Sequence, residues 1–318
     1  MYSIIVTSLG FYLPFGMIIS YVREFNNFTP KKAKALLDQL DKSCVTQEEK
    51  LQVHRSTIRS NSISFVYIII YVFYPLTSIC TAIINGVAPW NVHNPFLNWH
   101  DGKWQLGLTV VIEYFVVSII TYYHLAIDMC PTLFGMNIRL HLNLLNQRIQ
   151  KLRTDDTESE DKDYEKLVGC ITDHKIILKY CNVLRPLISR FIFVQFIMVG
   201  IICGLCLTNL IFFADLSTIS YIFGCIFQTL PFCYICNLLD DDVNDLTLSI
   251  FQTNWFGCSR RYKSSLLYFM HQAQLPIHFT GGTIFDISLA TKISLAKFAF
   301  SVVTIVQQFN LVEKLQKK

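Results

Sequence analysis

The sequence predicts an all-α fold: a polytopic membrane helix bundle with helical extensions into water. Three observations predict it. Of the 318 residues, 52% are hydrophobic and only 16% are charged, against about 25% charged in a typical soluble domain. The mean hydropathy is +0.39. The apolar residues gather into six runs, each long enough for the ~20-residue helix that crosses a bilayer.

The runs follow in order. Residues 1–21 lack the basic start of a signal peptide and read as the first span. The second covers 63–85, and the third runs from 106 to about 127. The fourth (191–214) and fifth (217–239) carry no charge at all. The sixth covers about 283–309. Residues 22–62 hold eight Lys/Arg and 139–190 hold ten, whereas 86–105 hold one. Lysine and arginine stay on the cytosolic side. Loops 22–62, 139–190 and 240–282 are therefore expected in the cytosol, with 86–105, 215–216 and both termini outside. The tail "EKLQKK" carries three lysines and counts against that orientation. Asn27 heads a glycosylation sequon that this topology places in the cytosol, unused.

The cytosolic parts read as folded. Ile138, Leu140, Leu142, Leu145, Ile149 and Leu152 continue the third span at helical spacing. "YEKLVGCITDHKIILKYCNVL" runs likewise into the fourth. The acidic run 155–163 reads as the exposed turn between them, and Asp240, Asp241 and Asp242 as a solvated turn.

Catalytic chemistry finds no support. No nucleophile elbow, Walker sequence or H-E-x-x-H occurs, so neither an enzyme nor a cofactor is expected. His124 and Asp128 share a helix face, but nothing supplies further metal ligands, and no metal is expected. A net charge of +4 without a dense basic block argues against nucleic acid. Of the 11 cysteines, two pairs have CxxC spacing, at 203–206 and 233–236. Both lie in apolar runs, where free cysteine packs as a small hydrophobe.

Binding chemistry has more to work with. Glu113 sits inside the third span, and an intramembrane carboxylate usually faces a bundle interior or cavity. Tyr71, Phe73 and Tyr74 precede Pro75, as Phe11 and Tyr12 precede Pro14. Such aromatics suit a pocket for a small hydrophobic molecule. Ordinary bundle packing explains them equally well.

The last run is the most polar. On a helical wheel Ser294, Ser301 and Thr304 share a face, with Lys297 and Thr291 beside them. Leu289, Ile293, Ala296, Ala299 and Phe300 take the other side. One wet face suits a pore shared by several copies, or a transporter cavity. Gly281 and Gly282 allow the chain to break or swivel just before it.

Here the sequence resembles the insect odorant receptor family. The C-terminal signature falls on Ala273, Gln274, Pro276, Thr280, Gly282, Phe285, Ser288, Leu289, Lys297 and Ser301. Upstream, Cys233, Asn237, Leu239 and Trp255 fit the stretch after the family's sixth helix. Departures fall at Cys236, Val243, Phe251, Phe300 and Lys292, the last replacing a common aromatic. The resemblance implies a helix bundle of the odorant receptor type with a cytosolic N-terminus. Six of its seven helices are visible here, and residues 1–21 match the second helix, as in an N-terminally truncated member.

The resemblance further implies an odorant-binding subunit of a non-selective cation channel. It would assemble with a shared co-receptor as a heterotetramer in the plasma membrane of an olfactory neuron dendrite. Its partners would be a small volatile odorant, that co-receptor and the lipid bilayer. The whole chain (1–318) would form one receptor and channel domain. Residues 1–138 would form the pocket-bearing spans with loop 22–62, and 139–190 with 240–282 a cytosolic anchor. Residues 283–310 would line the pore. By position, Lys297 and Ser301 belong to the pore, Ile305 lies near its constriction and Gln308 near its outer mouth. Tyr71, Tyr74 and Glu113 are candidates for the outer pocket. The competing readings are a G-protein-coupled-like receptor, a membrane transporter and a non-functional receptor fragment.

Overall fold

The computed structural model describes residues 30–88, 100, 102–153, 159–213 and 217–308. The 1–21 span with Phe11, Tyr12 and Pro14, the Asn27 sequon, residues 89–99 and the 215–216 connection lie outside the described residues. Seven helices are described: α1 (Pro30–Ser43), α2 (Gln47–Asn85), α3 (Lys103–Gln150), α4 (Glu160–Phe213), α5 (Ser217–Gln252), α6 (Arg260–Ala273) and α7 (Leu289–Gln308). A minimal antiparallel hairpin, β1 (Thr280–Gly281) with β2 (Phe285–Asp286), sits between α6 and α7. Helices α2 to α5 each hold a stretch long and apolar enough to cross a membrane.

Local chemistry sets the ends. The Thr46 hydroxyl accepts the Glu49 N–H at 3.2 Å, and the Glu49 carboxylate accepts the Thr46 N–H at 3.1 Å. This reciprocal cap satisfies two donors that a helix start leaves unpaired. Gly86 ends α2 at φ 64°, a left-handed conformation that costs glycine little. Pro75, Pro131, Pro186 and Pro231 lie inside α2 to α5 without ending them. Membrane helices tolerate this because neighbours can re-satisfy the freed carbonyl.

Each long helix continues past its apolar run into a packed region. There Ile138, Leu142, Leu145, Ile149 and Leu152 of the α3 end are buried, while Leu140 is half-buried. They meet Ala33 and Leu40 of α1, Leu167, Ile177 and Leu184 of α4, and Leu239, Leu246 and Ile250 of α5. Helix α6 adds Tyr262, Leu266, Phe269 and Ala273, a stripe spaced by three or four residues.

Charges knit the same region. The Arg148 guanidinium donates to Glu49 at 2.5 Å, to Asp173 and to the Ser43 carbonyl at 2.9 Å. Burial pushes the Asp173 carboxyl up, and Arg148 offsets only part of that. For Glu49, burial acts upward too, but the bonds from Arg148 and Thr46 prevail and hold it below its ordinary value.

The end of one expected turn and the whole of another prove to be helix, residues 155–158 lying outside the described residues. Helix α4 begins at Glu160, inside the acidic run, with Glu160, Asp161 and Asp163 in its first turn. Acidic groups there complement the helix dipole. Asp163 is buried with Arg153 at 4.0 Å, and Glu160 accepts the Ser259 N–H at 2.6 Å. The triad at 240–242 is not a turn either, because α5 runs straight through it to Gln252. Arg139 grips the buried Asp242 in a forked pair at 2.6 and 3.1 Å, and Asp240 faces His278 at 3.4 Å.

Candidate functional site

Tyr67 and Tyr71 lie one turn apart on α2, with ring centroids 6.4 Å apart. Tyr67 is fully buried against Phe227 of α5 at 5.3 Å, and its hydroxyl bonds Thr132 of α3 at 3.3 Å. The Tyr71 hydroxyl donates to Asp128 of α3. The same carboxylate accepts the Gln195 amide of α4 at 2.9 Å and bonds Gln228 of α5. Asp128 is 4% exposed. A buried carboxylate is tolerable only when its oxygens are bonded, and here four helices converge to bond them. Sequence reasoning saw Asp128 only as the i+4 neighbour of His124. Its true partners lie in three other spans, beyond the reach of local spacing. Its one visible signal was a carboxylate at the edge of an apolar run.

Glu113 is also buried, at 5% exposed, between Thr109 and Val117 on the same face of α3. It therefore faces the bundle rather than lipid. Helical rise puts it about 22 Å from Asp128 along the axis. Tyr71 and Glu113 are thus not brought together. Tyr74 lies on α2, and its side chain is outside the described residues.

Helix α7 packs chiefly on α4. Its inward side is Lys292, Leu295 and the buried Ala299. Leu295 and Phe298 press on Gly200, where an added methyl would come 2.8 Å from Leu295. Glycine there lets the two helices approach closely. Lys292 turns inward, donating to Thr229 of α5, with its ammonium 5.9 Å from the Phe196 ring centre on α4. The packed face differs from the expected apolar one: Ile293, Ala296 and Phe300 are exposed. Apolar side chains at the rim of a membrane bundle lose nothing by facing lipid or another subunit, so apolarity does not select the inward side. Lys297, Ser301, Ile305 and Gln308 all lie on the exposed side. Their spacing of four, four and three aligns them along one stripe. The Ser301 hydroxyl folds back onto the Lys297 carbonyl at 3.0 Å.

A clamped joint precedes α7. The Gly282 N–H donates to the Ser189 carbonyl at 3.0 Å and lies 3.1 Å from its hydroxyl. Gly282 has φ 58°, and a Cβ there would stand 2.7 Å from Phe193. A Cβ on Gly281 would meet the Phe285 ring at 2.5 Å. The Asn237 side chain of α5 accepts the Leu289 N–H at 3.0 Å, and Ser288 accepts the Thr291 N–H at 3.2 Å. These bonds satisfy donors at the α7 start. The signature residues Asn237, Gly282 and Ser288 thus seat the last helix on α4 and α5.

Residues 2–300 match the family model described as 7tm Odorant receptor. Odorant receptor 59b of Drosophila melanogaster is 39% identical over 340 residues, spanning 96% of this chain and 85% of the relative. Odorant receptor 42b of the same fly is 38% identical over 339 residues, with the same coverage. Among solved structures, the insect olfactory receptor OR5 from Machilis hrabei superposes with a TM-score of 0.73 at 15% identity, over 93% of this chain and 79% of that one. Its complex with eugenol gives 0.78 at 15% identity, over 97% and 82%. These two matches speak to the fold. Helices that cross, pack and cap as described, over a sequence matched almost end to end, have one reading: the chain is a multi-pass membrane protein of the insect odorant receptor family.

Proposed function

We propose that the chain is the odorant-binding subunit of an odour-gated, non-selective cation channel, assembled with a shared co-receptor in the plasma membrane. One observation carries the channel half of this reading. Lys297, Ser301, Ile305 and Gln308 form an exposed stripe on α7, while Lys292 is withdrawn toward Thr229. A pore helix presents polar groups to water and keeps an apolar ring to close by dewetting. Ile305 supplies the ring, and Gln308 stands beyond it toward the outer mouth. With Lys292 turned away, Lys297 is the cation left on that stripe.

The ligand half rests on kinship and on the α2–α3 face. The OR5 neighbour was solved with eugenol, which supports a small, volatile, largely apolar ligand for this chain. Glu113, buried on the inward face of α3, is the candidate that favours an outer pocket. Tyr71, bonded to Asp128 about 22 Å away along the axis, lies apart from it. Binding opens the channel only to the extent that the odorant prefers the open bundle. Helix α7 then pivots on the Gly281–Gly282 joint, and the ring at Ile305 widens.

Co-expression of this chain with an insect co-receptor, under voltage clamp and a broad panel of volatiles, tests the reading. The expected result is an odour-evoked inward current, and a raised odour-free leak in Ile305→Ala. Surface-expressed protein with no evoked current, or an Ile305→Ala channel identical to wild type, would overturn it.

A further inference from the structure

Two ionisable side chains inside the bundle, the buried Asp128 and the half-buried Lys292, are held by adjacent residues of the same two helices. Asp128 is held by Gln195 of α4 and Gln228 of α5. Lys292 of α7 is held by the next residue on each helix, Phe196 and Thr229. Neighbouring residues on a helix point about 100° apart. Each of α4 and α5 therefore turns one side chain toward the α2–α3 pair and the adjacent one toward α7. Any rotation of α4 or α5 that relaxes the grip on Asp128 also swings the residue that holds Lys292. An apolar side chain at position 292 could neither bond the Thr229 hydroxyl nor stand over the Phe196 ring as a cation.

We infer that Asp128 and Lys292 are paired positioning residues, and that the steps Gln195–Phe196 and Gln228–Thr229 couple the tyrosine face of α2 to the last helix. The inference rests on the channel reading for its meaning in gating, but the coupling itself is a property of the folded chain. A buried ionic group left without its partners is costly, so each charge enforces the placement of its holders. The partners of Lys292 among the described residues are a hydroxyl and a ring rather than a carboxylate. Its tie is thus the weaker of the two and the first to give.

The test uses the purified full chain in detergent, without odorant. Tyr71→Phe removes one donor to Asp128, and Thr229→Val removes the acceptor of Lys292. Both changes nearly preserve shape, so both variants are expected to fold. Hydrogen–deuterium exchange is read by segment. Tyr71→Phe is expected to speed exchange about threefold at the start of α7, and Thr229→Val to do the same around Tyr67 and Tyr71. The double variant should exchange less than the product of the single effects. Lys292→Met should reproduce Thr229→Val, and Lys292→Arg should restore wild-type exchange near Tyr71. Changes confined to the helices around each mutated site, or strict additivity, would overturn the coupling. Non-additive exchange from a chain that gives no odour-evoked current would leave the coupling standing and remove the channel reading. Odour-evoked current with additive exchange would do the reverse.

Discussion

Leu145 and Phe115 lie on the same helix, eight turns apart, in opposite surroundings. Leu145 is 1% exposed and Phe115 is 62% exposed. The contrast holds along the whole molecule. Within the most apolar windows of α2 and α3 only 12% and 11% is buried inside the protein, against 53% for α4. Phe65, Ile69, Val72 and Phe73 of α2 and Val111, Phe115 and Ile119 of α3 all point outward. In the water-facing region, burial of apolar surface drives packing and each helix hides its apolar stripe. In the lipid region it does not, because acyl chains are as apolar as leucine. Beside buried apolar residues such as Val117, Phe196, Val199 and Phe232, polar ones turn inward there: Glu113, Asp128, Gln195, Thr229 and Lys292. Both regions bury apolar side chains, and within the spans α2 and α3 leave most of theirs outside while polar side chains tie the helices together.

Several substitutions test this contrast, each read as the unfolding midpoint of purified protein. The largest difference should separate Leu145→Ala from Phe115→Ala. The first leaves a cavity in a close-packed core and should cost about 3–4 kcal/mol. The second removes a lipid contact and should cost no more than about 0.5 kcal/mol. Equal losses would deny the two regimes. Next, Arg148→Met strands the part-buried carboxylates of Glu49 and Asp173 and should cost about 3 kcal/mol. Adding Glu49→Gln and Asp173→Asn should restore part of it.

Acid should act on the packed region through His174. Its ring is buried against Phe269 at 5.4 Å, and burial pushes the imidazole down to about 4. The unfolded chain protonates near pH 6.5 and the folded one does not. Stability from this residue is therefore full above about pH 6.5 and falls as pH drops toward 4, by about 2–3 kcal/mol in all. His174→Phe should flatten that part of the profile. A profile unchanged by the substitution would contradict the assignment. A smaller loss than at Arg148 or His174 is expected at the joint. Gly282→Ala must hold φ 58° and displace Phe193, at about 1–2 kcal/mol. It should loosen the start of α7 more than the packed region, as exchange would report.

Much of this was legible beforehand. The apolar runs at 63–85, 106–127 and 217–239, and the described part (191–213) of the run at 191–214, lie within α2 to α5, because a bilayer demands about 20 apolar residues in a row. The continuation of α3 was legible because Ile138, Leu142, Leu145 and Ile149 repeat at the helical period, and all four are buried. The acidic run and the 240–242 triad misled for one reason. Charge density reads as solvation until a partner such as Arg139 of α3, or Arg153 just beyond its end, is brought alongside.

By itself the sequence determined the class of the molecule, the order of the apolar runs within α2 to α5, and its family. These follow from composition, local periodicity and a motif contiguous in the chain. The run expected from 283, by contrast, becomes helix only at Leu289, after the β hairpin. Only the tertiary structure decided which way the polar residues inside the spans turn. It drew Tyr71, Asp128, Gln195 and Gln228 together from four helices. It also turned Lys292 away from the exposed stripe of α7, toward Thr229 and Phe196. The physical reason is the solvent. In water, apolarity tells each residue which way to face; in lipid that signal vanishes, and direction is set by polar partners that no local pattern in the sequence names.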